Sequence, residues 1–183
     1  MSANAFTGAG GKGAPERTTI IDQDVASRFI RAAASTPSIT RFLLVSYISS
    51  RRAAPAWWDD EAWTAAQEAN RKMARYYAAK IAADEVLVRE ARKRGAGFAA
   101  IDLRPGALSD GAAGPVELGR TKSSRGKVSR ASVAAVTDAL LAADAVESCW
   151  LDLLDGDNEI ADAVKSVVAS KVDALEGEPV ASE

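Results

Sequence analysis

The sequence contains no histidine and a single cysteine, Cys149, among 183 residues. The first absence removes histidine-dependent triads and histidine-ligated zinc from consideration. The second removes an intramolecular disulfide and any cysteine-rich metal site. No apolar run approaches the roughly 20 residues that a bilayer-spanning helix requires. Residues 1–16 lack the basic stretch and apolar run of a secretory leader, so the expected location is the cytoplasm. Neither sign of charge dominates: 23 Lys and Arg stand against 25 Asp and Glu, a net charge of -2. That balance argues against a nucleic-acid binder. If the chain is an enzyme, its proton must move through Tyr, Lys, Asp or Glu.

What is present is a globular composition, 48% hydrophobic, with 39 alanines that favour helices. Ile20, Ile21, Val25, Phe29 and Ile30 recur at helical spacing and predict a helix over 20–34. Arg41 to Ser46, Phe98 to Leu103 and Ser148 to Leu154 read as three strands, the first two buried on both faces. Between the first two lies a stretch from Asp59 to Lys93 without Pro or Gly, one long helix or two abutting ones. Helices are also expected over 130–143, with Ser129 as cap, and over 160–175. Residues 109–128 read as loop with a short strand at 116–118, and its basic residues read as a solvated surface. The alternation predicts an α/β parallel sheet. The expected organisation is a flexible glycine-rich segment over 1–16, one Rossmann-like domain over 17–175, and a disordered tail over 176–183.

Three further features bear on function. The cluster Gly8-Ala9-Gly10-Gly11-Lys12-Gly13 suits close approach of backbone N–H groups to an anion, but it lacks the preceding strand and spacing of a phosphate loop, so a flexible loop is the plainer reading. Tyr76 and Lys80, four apart in the long helix, project from one face. An ammonium near a phenol lowers its pKa from about 10, as a general acid-base tyrosine needs. Ser46, with Ser49 as second choice, closes the strand before that helix, and Arg104-Pro105-Gly106 closes the strand after it; in a parallel sheet both ends meet at the ligand-binding edge. Arg51 and Arg52 read either as a contact for an anionic substrate or, more plainly, as a solvated pair. Trp57 and Trp58 read as a lid or as packing, and Cys149 as a buried apolar residue.

The runs RFLLVSYISSRR, YYAAKIAADEVL, DLRPGALSD and GKVSRASVAAV together resemble the short-chain dehydrogenase/reductase superfamily, in particular its atypical NAD(P)-binding branch with fungal members. The resemblance implies a Rossmann fold with NAD(P) as cofactor and a small-molecule substrate. Tyr76 and Lys80 become the Tyr-x3-Lys pair, with Lys80 also holding a ribose hydroxyl, and Ser46 the substrate-orienting hydroxyl. Arg104, Pro105, Gly106, Ala107 and Leu108 would line the nicotinamide, and Gly8, Ala9 and Gly10 the ribose. The resemblance covers the C-terminal part of the doubly wound fold, without its first strand and glycine-rich pyrophosphate turn. That implies weak dinucleotide binding by this chain and an exposed sheet edge open to oligomerisation. The implied activity is NAD(P)-dependent hydride transfer; the alternative is a non-catalytic dinucleotide sensor or interaction protein similar to the NmrA-like regulators.

Overall fold

The computed structural model of the chain describes residues 2–5 and 15–183. A five-stranded sheet forms the centre, in the order β1 (Ser2–Ala5), β2 (Arg41–Val45), β3 (Ala99–Pro105), β7 (Cys149–Asp155) and β5 (Val116–Gly119). The first four run parallel and β5 returns antiparallel on β7. The expected α/β class is therefore what the chain adopts. Two short strands, β4 (Ala107–Ser109) and β6 (Lys127–Ser129), pair in parallel beyond the end of β3. Both fall in or next to stretches read as loop, because three residues are too few to show a period.

Side-chain alternation sorts the strands onto two layers. Leu43, Ile101, Leu103, Leu151 and Leu153 pack on α5 (Arg130–Ala142) and α6 (Ile160–Ala169). Phe42, Leu44 and Ala100 turn the other way, onto α2 (Ala26–Ser35) and α4 (Ala74–Arg94). Burial of β2 and β3 on both faces explains why their sequences are runs and not alternations. Among the described residues, no helix is long and apolar enough to cross a membrane.

Local chemistry sets several boundaries. The Asp59 carboxylate caps α3 (Asp60–Lys72) by accepting from the Ala62 N–H at 2.7 Å, and Ser129 does the same for α5 through the Ser132 N–H at 2.9 Å. Gly95 closes α4 at φ +69°, a conformation that favours glycine. The alanine-rich stretch is two helices, broken at Met73, which no helix-breaking residue announces. The break has a tertiary anchor. Asn70, in the last turn of α3, donates to the Ser49 carbonyl and accepts from the Tyr47 hydroxyl, tying that turn to the loop after β2.

The first helical segment also differs from a plain α-helix. It runs through α1 (Pro15–Thr18), a π-helical stretch over Thr19–Val25, and then α2. The wider turn brings Asp22 to a fully buried position against α4. The last residues, expected to be a disordered tail, pack onto the molecule. Glu178 and Val180 are buried, Pro179–Ser182 forms a 3-10 turn, and Arg89 holds Glu183 through two hydrogen bonds of 2.6 and 2.8 Å.

Candidate active site

The loops leaving the C-terminal ends of β2 and β3 enclose a cavity of about 770 Å³. One wall is Ser46 to Ser49, after β2; a second is Pro105 to Leu108, after β3. The junction of α3 and α4 supplies Lys72, Met73 and Tyr76, and the segment before β6 supplies Ser124 to Gly126. Crossover loops at the carboxyl edge of a parallel sheet converge in this way for topological reasons.

Tyr76 lines the cavity, with its ring 5.1 Å from that of Tyr47. Its hydroxyl has no hydrogen-bond partner among the described residues. Burial pushes the phenol above its ordinary pKa, and the carboxylates of Asp22 and Asp84 push it further in the same direction. The expected lowering by Lys80 is therefore corrected. The Lys80 ammonium, fully buried, does not line the cavity; it donates to the Val45 carbonyl at 2.7 Å, at the end of β2.

Ser46 also lines the cavity, but its hydroxyl proton is committed to Asp84 Oδ2 at 2.8 Å. A hydroxyl has one proton to give, so Ser46 does not polarise a substrate carbonyl in this arrangement. Ser49, the second choice, is in the lining and buried. Pro105, Gly106, Ala107 and Leu108 line the cavity. The lack of a side chain at Gly106 has a packing cause: a Cβ there would stand 2.5 Å from Leu154 and 2.8 Å from the Gly126 carbonyl oxygen. Gly8, Ala9 and Gly10 lie outside the described residues.

Arg104 does not reach the cavity. Its guanidinium turns into a fully buried ionic cluster, 2.9 Å from Asp102, 3.3 Å from Asp84 and 3.5 Å from Asp152, and lies 4.0 Å over the Trp150 ring. It also donates to the Ser50 carbonyl. The physical reason is strand alternation: Ala100, Asp102 and Arg104 share the α4 side of β3, and near Arg104 the neighbours on that side are carboxylates. Arg51, read as solvated, belongs to the same cluster. It makes a two-point bond to Asp152 at 2.9 and 2.8 Å and donates to the Ala174 carbonyl at 2.8 Å. Only Arg52 is exposed, paired with Glu85. Burial and the neighbouring Asp84 charge hold Asp102 well above an ordinary carboxylate, pushed up to about 8 against the opposing pull of Arg104 and Lys80.

Trp58 packs against Ile48 and donates to the Thr121 carbonyl at 2.9 Å, so it acts as packing and not as a lid. Cys149 is half-buried with its thiol pKa raised by burial. Among the described residues, no group of acidic and cysteine side chains is arranged to hold a metal. Three contributors went unread in the sequence. Asp84 lies four residues after Lys80 and eight after Tyr76, and that helical repeat was the available signal. Asn70 and Glu178 act through contacts with loops far away in sequence, for which no local signal exists.

A mostly parallel sheet with helices on both faces, and a ligand-sized cavity at its carboxyl edge, is the architecture of the doubly wound α/β proteins. Over residues 3–144 the chain matches the family model described as NAD(P)H-binding, and it belongs to that family. It is 31% identical over 161 residues to a Bacillus subtilis (strain 168) protein described as the uncharacterized sugar epimerase YhfK. That match covers 87% of this chain and 65% of the relative, so the chain spans less than two thirds of that relative's length. Among solved structures it is similar to a protein from Bacillus halodurans provisionally described as an NAD-dependent epimerase/dehydratase, with TM-score 0.70 and 24% identity over 89% of this chain and 68% of that one. It is also similar to the oxidoreductase ylbE from Lactococcus lactis, with TM-score 0.68 and 24% identity over 91% of this chain and 67% of that one. At such identity these two likenesses concern the fold.

The family is described as NAD(P)H-binding, and NAD(P) is its cofactor. Pro105 to Leu108 offers a mostly apolar shelf, and the Tyr76 hydroxyl is a donor without a partner among the described residues.

Proposed function

We propose that the chain carries the catalytic portion of an NAD(P)H-dependent oxidoreductase of the atypical short-chain type, which reduces a carbonyl group with Tyr76 as proton donor. The observation that carries this reading is the Tyr76 hydroxyl, neutral and unengaged among the described residues, in a cavity at the carboxyl edge of the sheet. The nicotinamide, when bound, supplies the hydride. The chain's own residues do the rest. Pro105 to Leu108 would lie against the nicotinamide, and Gly8, Ala9 and Gly10 on the ribose side. Lys80 holds α4, and with it Tyr76, to the end of β2 through the Val45 carbonyl. Ser46, fixed by Asp84, shapes the wall and sets where the substrate rests.

The raised Tyr76 pKa has a direction. A phenol that stays protonated across the physiological range can give a proton to the oxygen of a nascent alkoxide. It is poorly suited to take one from an alcohol, and this favours reduction over an epimerisation that needs both steps. A second reading, a dinucleotide sensor without turnover, draws on the engagement of both Lys80 and Ser46 in structural hydrogen bonds.

The deciding experiment follows NADH and NADPH consumption by the chain across a panel of aldehydes and ketones. Tyr76→Phe should lower kcat by about 10²- to 10⁴-fold while the dinucleotide Kd stays unchanged. Tyr77→Phe should leave kcat near wild type, since the Tyr77 hydroxyl faces away and donates to the Arg51 carbonyl at 3.1 Å. The rate should show no decline on the alkaline side that tracks tyrosine ionisation. Dinucleotide binding without consumption of any carbonyl would favour the sensor, and a fully active Tyr76→Phe would remove Tyr76 from the reaction.

A further inference from the structure

The charge at the cavity mouth runs against that of the protein. The chain carries a net charge of -2, yet the lining holds three cations, Lys72, Arg125 and Arg130, against one carboxylate, Glu68. Lys72 ends α3, whose Ala65, Glu68 and Ala69 form the same helical face, and the two arginines flank β6, in a segment that touches α3 where Arg125 meets Glu61. Arg125 and Arg130 pair with Glu61 and Asp110 at 2.9 and 2.6 Å, but neither carboxylate lines the cavity, and both pairs are largely exposed. Exposed pairs of this kind contribute little and exchange readily for another anion. Lys72 makes no ion pair among the described residues, not even with Glu68 one turn away. Below this rim the walls are apolar and aromatic: Ile48, Met73, Tyr76 and Leu108, the last 47% exposed at the mouth.

We infer that the cavity takes an apolar carbonyl compound bearing a carboxylate, with Lys72 and Arg125 gripping the carboxylate and the apolar body lying on Leu108 and Met73. The inference rests on the oxidoreductase reading for its carbonyl, whereas the anion recognition rests on the rim alone. A cationic rim beside an apolar lining selects for a ligand with one charged end, because a neutral ligand leaves that attraction unused.

The test titrates the chain with benzoylpropionate and with its methyl ester, in the presence of NAD(P)+, and follows NAD(P)H consumption separately with the same two ketones. The acid should bind about fivefold tighter than the ester, or better. Raised salt should erode the difference, since the rim is solvent-exposed. The double variant Lys72→Ala/Arg125→Ala should bring the two ligands to parity, and Lys72→Arg should keep the preference. Equal or tighter binding of the ester, a preference that survives the double variant, or no binding of either ketone would overturn the inference. Selective binding of the acid with no NAD(P)H consumed would leave the inference standing and count against the oxidoreductase reading. Equal binding and equal reduction of acid and ester would do the reverse.

Discussion

Tyr76 and Asp84 lie on one face of α4, two turns apart, and they occupy opposite environments. Tyr76 opens onto a ligand-sized cavity, with its hydroxyl unengaged among the described residues. Asp84 accepts from Ser46 at 2.8 Å, Ser50 at 2.6 Å and Arg104 at 3.3 Å, all fully or nearly fully buried. The cavity and the ionic cluster share a wall at Ser46, and they draw on the same residue types. What separates them is whether the polar group already has a partner within the protein. Arginine and serine at a sheet edge read as ligand contacts, but the same residues satisfied by buried carboxylates become scaffold. A buried ion pair is weak evidence for net stability, yet it is costly to break, because the surviving charge has no water. The cluster thus fixes the cavity wall from behind, whereas the Tyr76 hydroxyl in the cavity has no partner among the described residues.

That division can be attacked from the scaffold side. Arg104→Ala strips the shared counter-charge from Asp84, Asp102 and Asp152, and should destabilise the chain by about 3–5 kcal/mol in urea unfolding. A loss below about 1 kcal/mol would mean that Arg104 is not buried as described and is available to a ligand after all.

A second effect should appear as a pH slope. The folded protein holds Asp102 at about 8, above an unfolded value near 4, so the folded state binds the extra proton between those limits. Stability from this group is therefore fully present below pH of about 4 and is lost as pH rises through about 8. Asp102→Asn, which keeps an oxygen for Arg104, should flatten that part of the profile of urea midpoint against pH. An unchanged profile would assign the slope to another group.

The shared wall gives the smallest expected change. Ser46→Ala removes one donor to Asp84 while Ser50 and Arg104 remain, so the loss should be about 1–2 kcal/mol. If Ser46 serves only the scaffold, dinucleotide affinity should not move in a calorimetric titration. A selective loss of dinucleotide or substrate affinity at unchanged stability would return Ser46 to the list of ligand contacts.

Much of the sheet was legible because buried parallel strands leave short apolar runs. Phe42 to Val45 and Ala99 to Leu103 are such runs, and each is a strand. That Tyr76 faces the edge where β2 and β3 end was legible as well, through helical spacing and strand order. Arg104 was misread for a reason visible afterwards. Asp102 sits alone in an apolar strand two residues before it, and a buried carboxylate at that position requires a cation on the same face. The break at Met73 and the π-helical turn at Thr19–Val25 had no such trace, since contacts with other segments hold them.

The sequence by itself determined the α/β alternation, the two-sided burial of β2 and β3, the helix caps at Asp59 and Ser129, and the common face of Tyr76, Lys80 and Asp84. These follow from periods of two and 3.6 residues and from capping chemistry, all of which act within a few positions. Only the tertiary structure decided which polar groups face a ligand and which face each other. Arg51 meets Asp152 across 101 residues, and the Arg52 backbone N–H meets Glu178 across 126. Charges so far apart in sequence meet only when the sheet and its covering helices bring them together, and burial then makes each partner indispensable to the other.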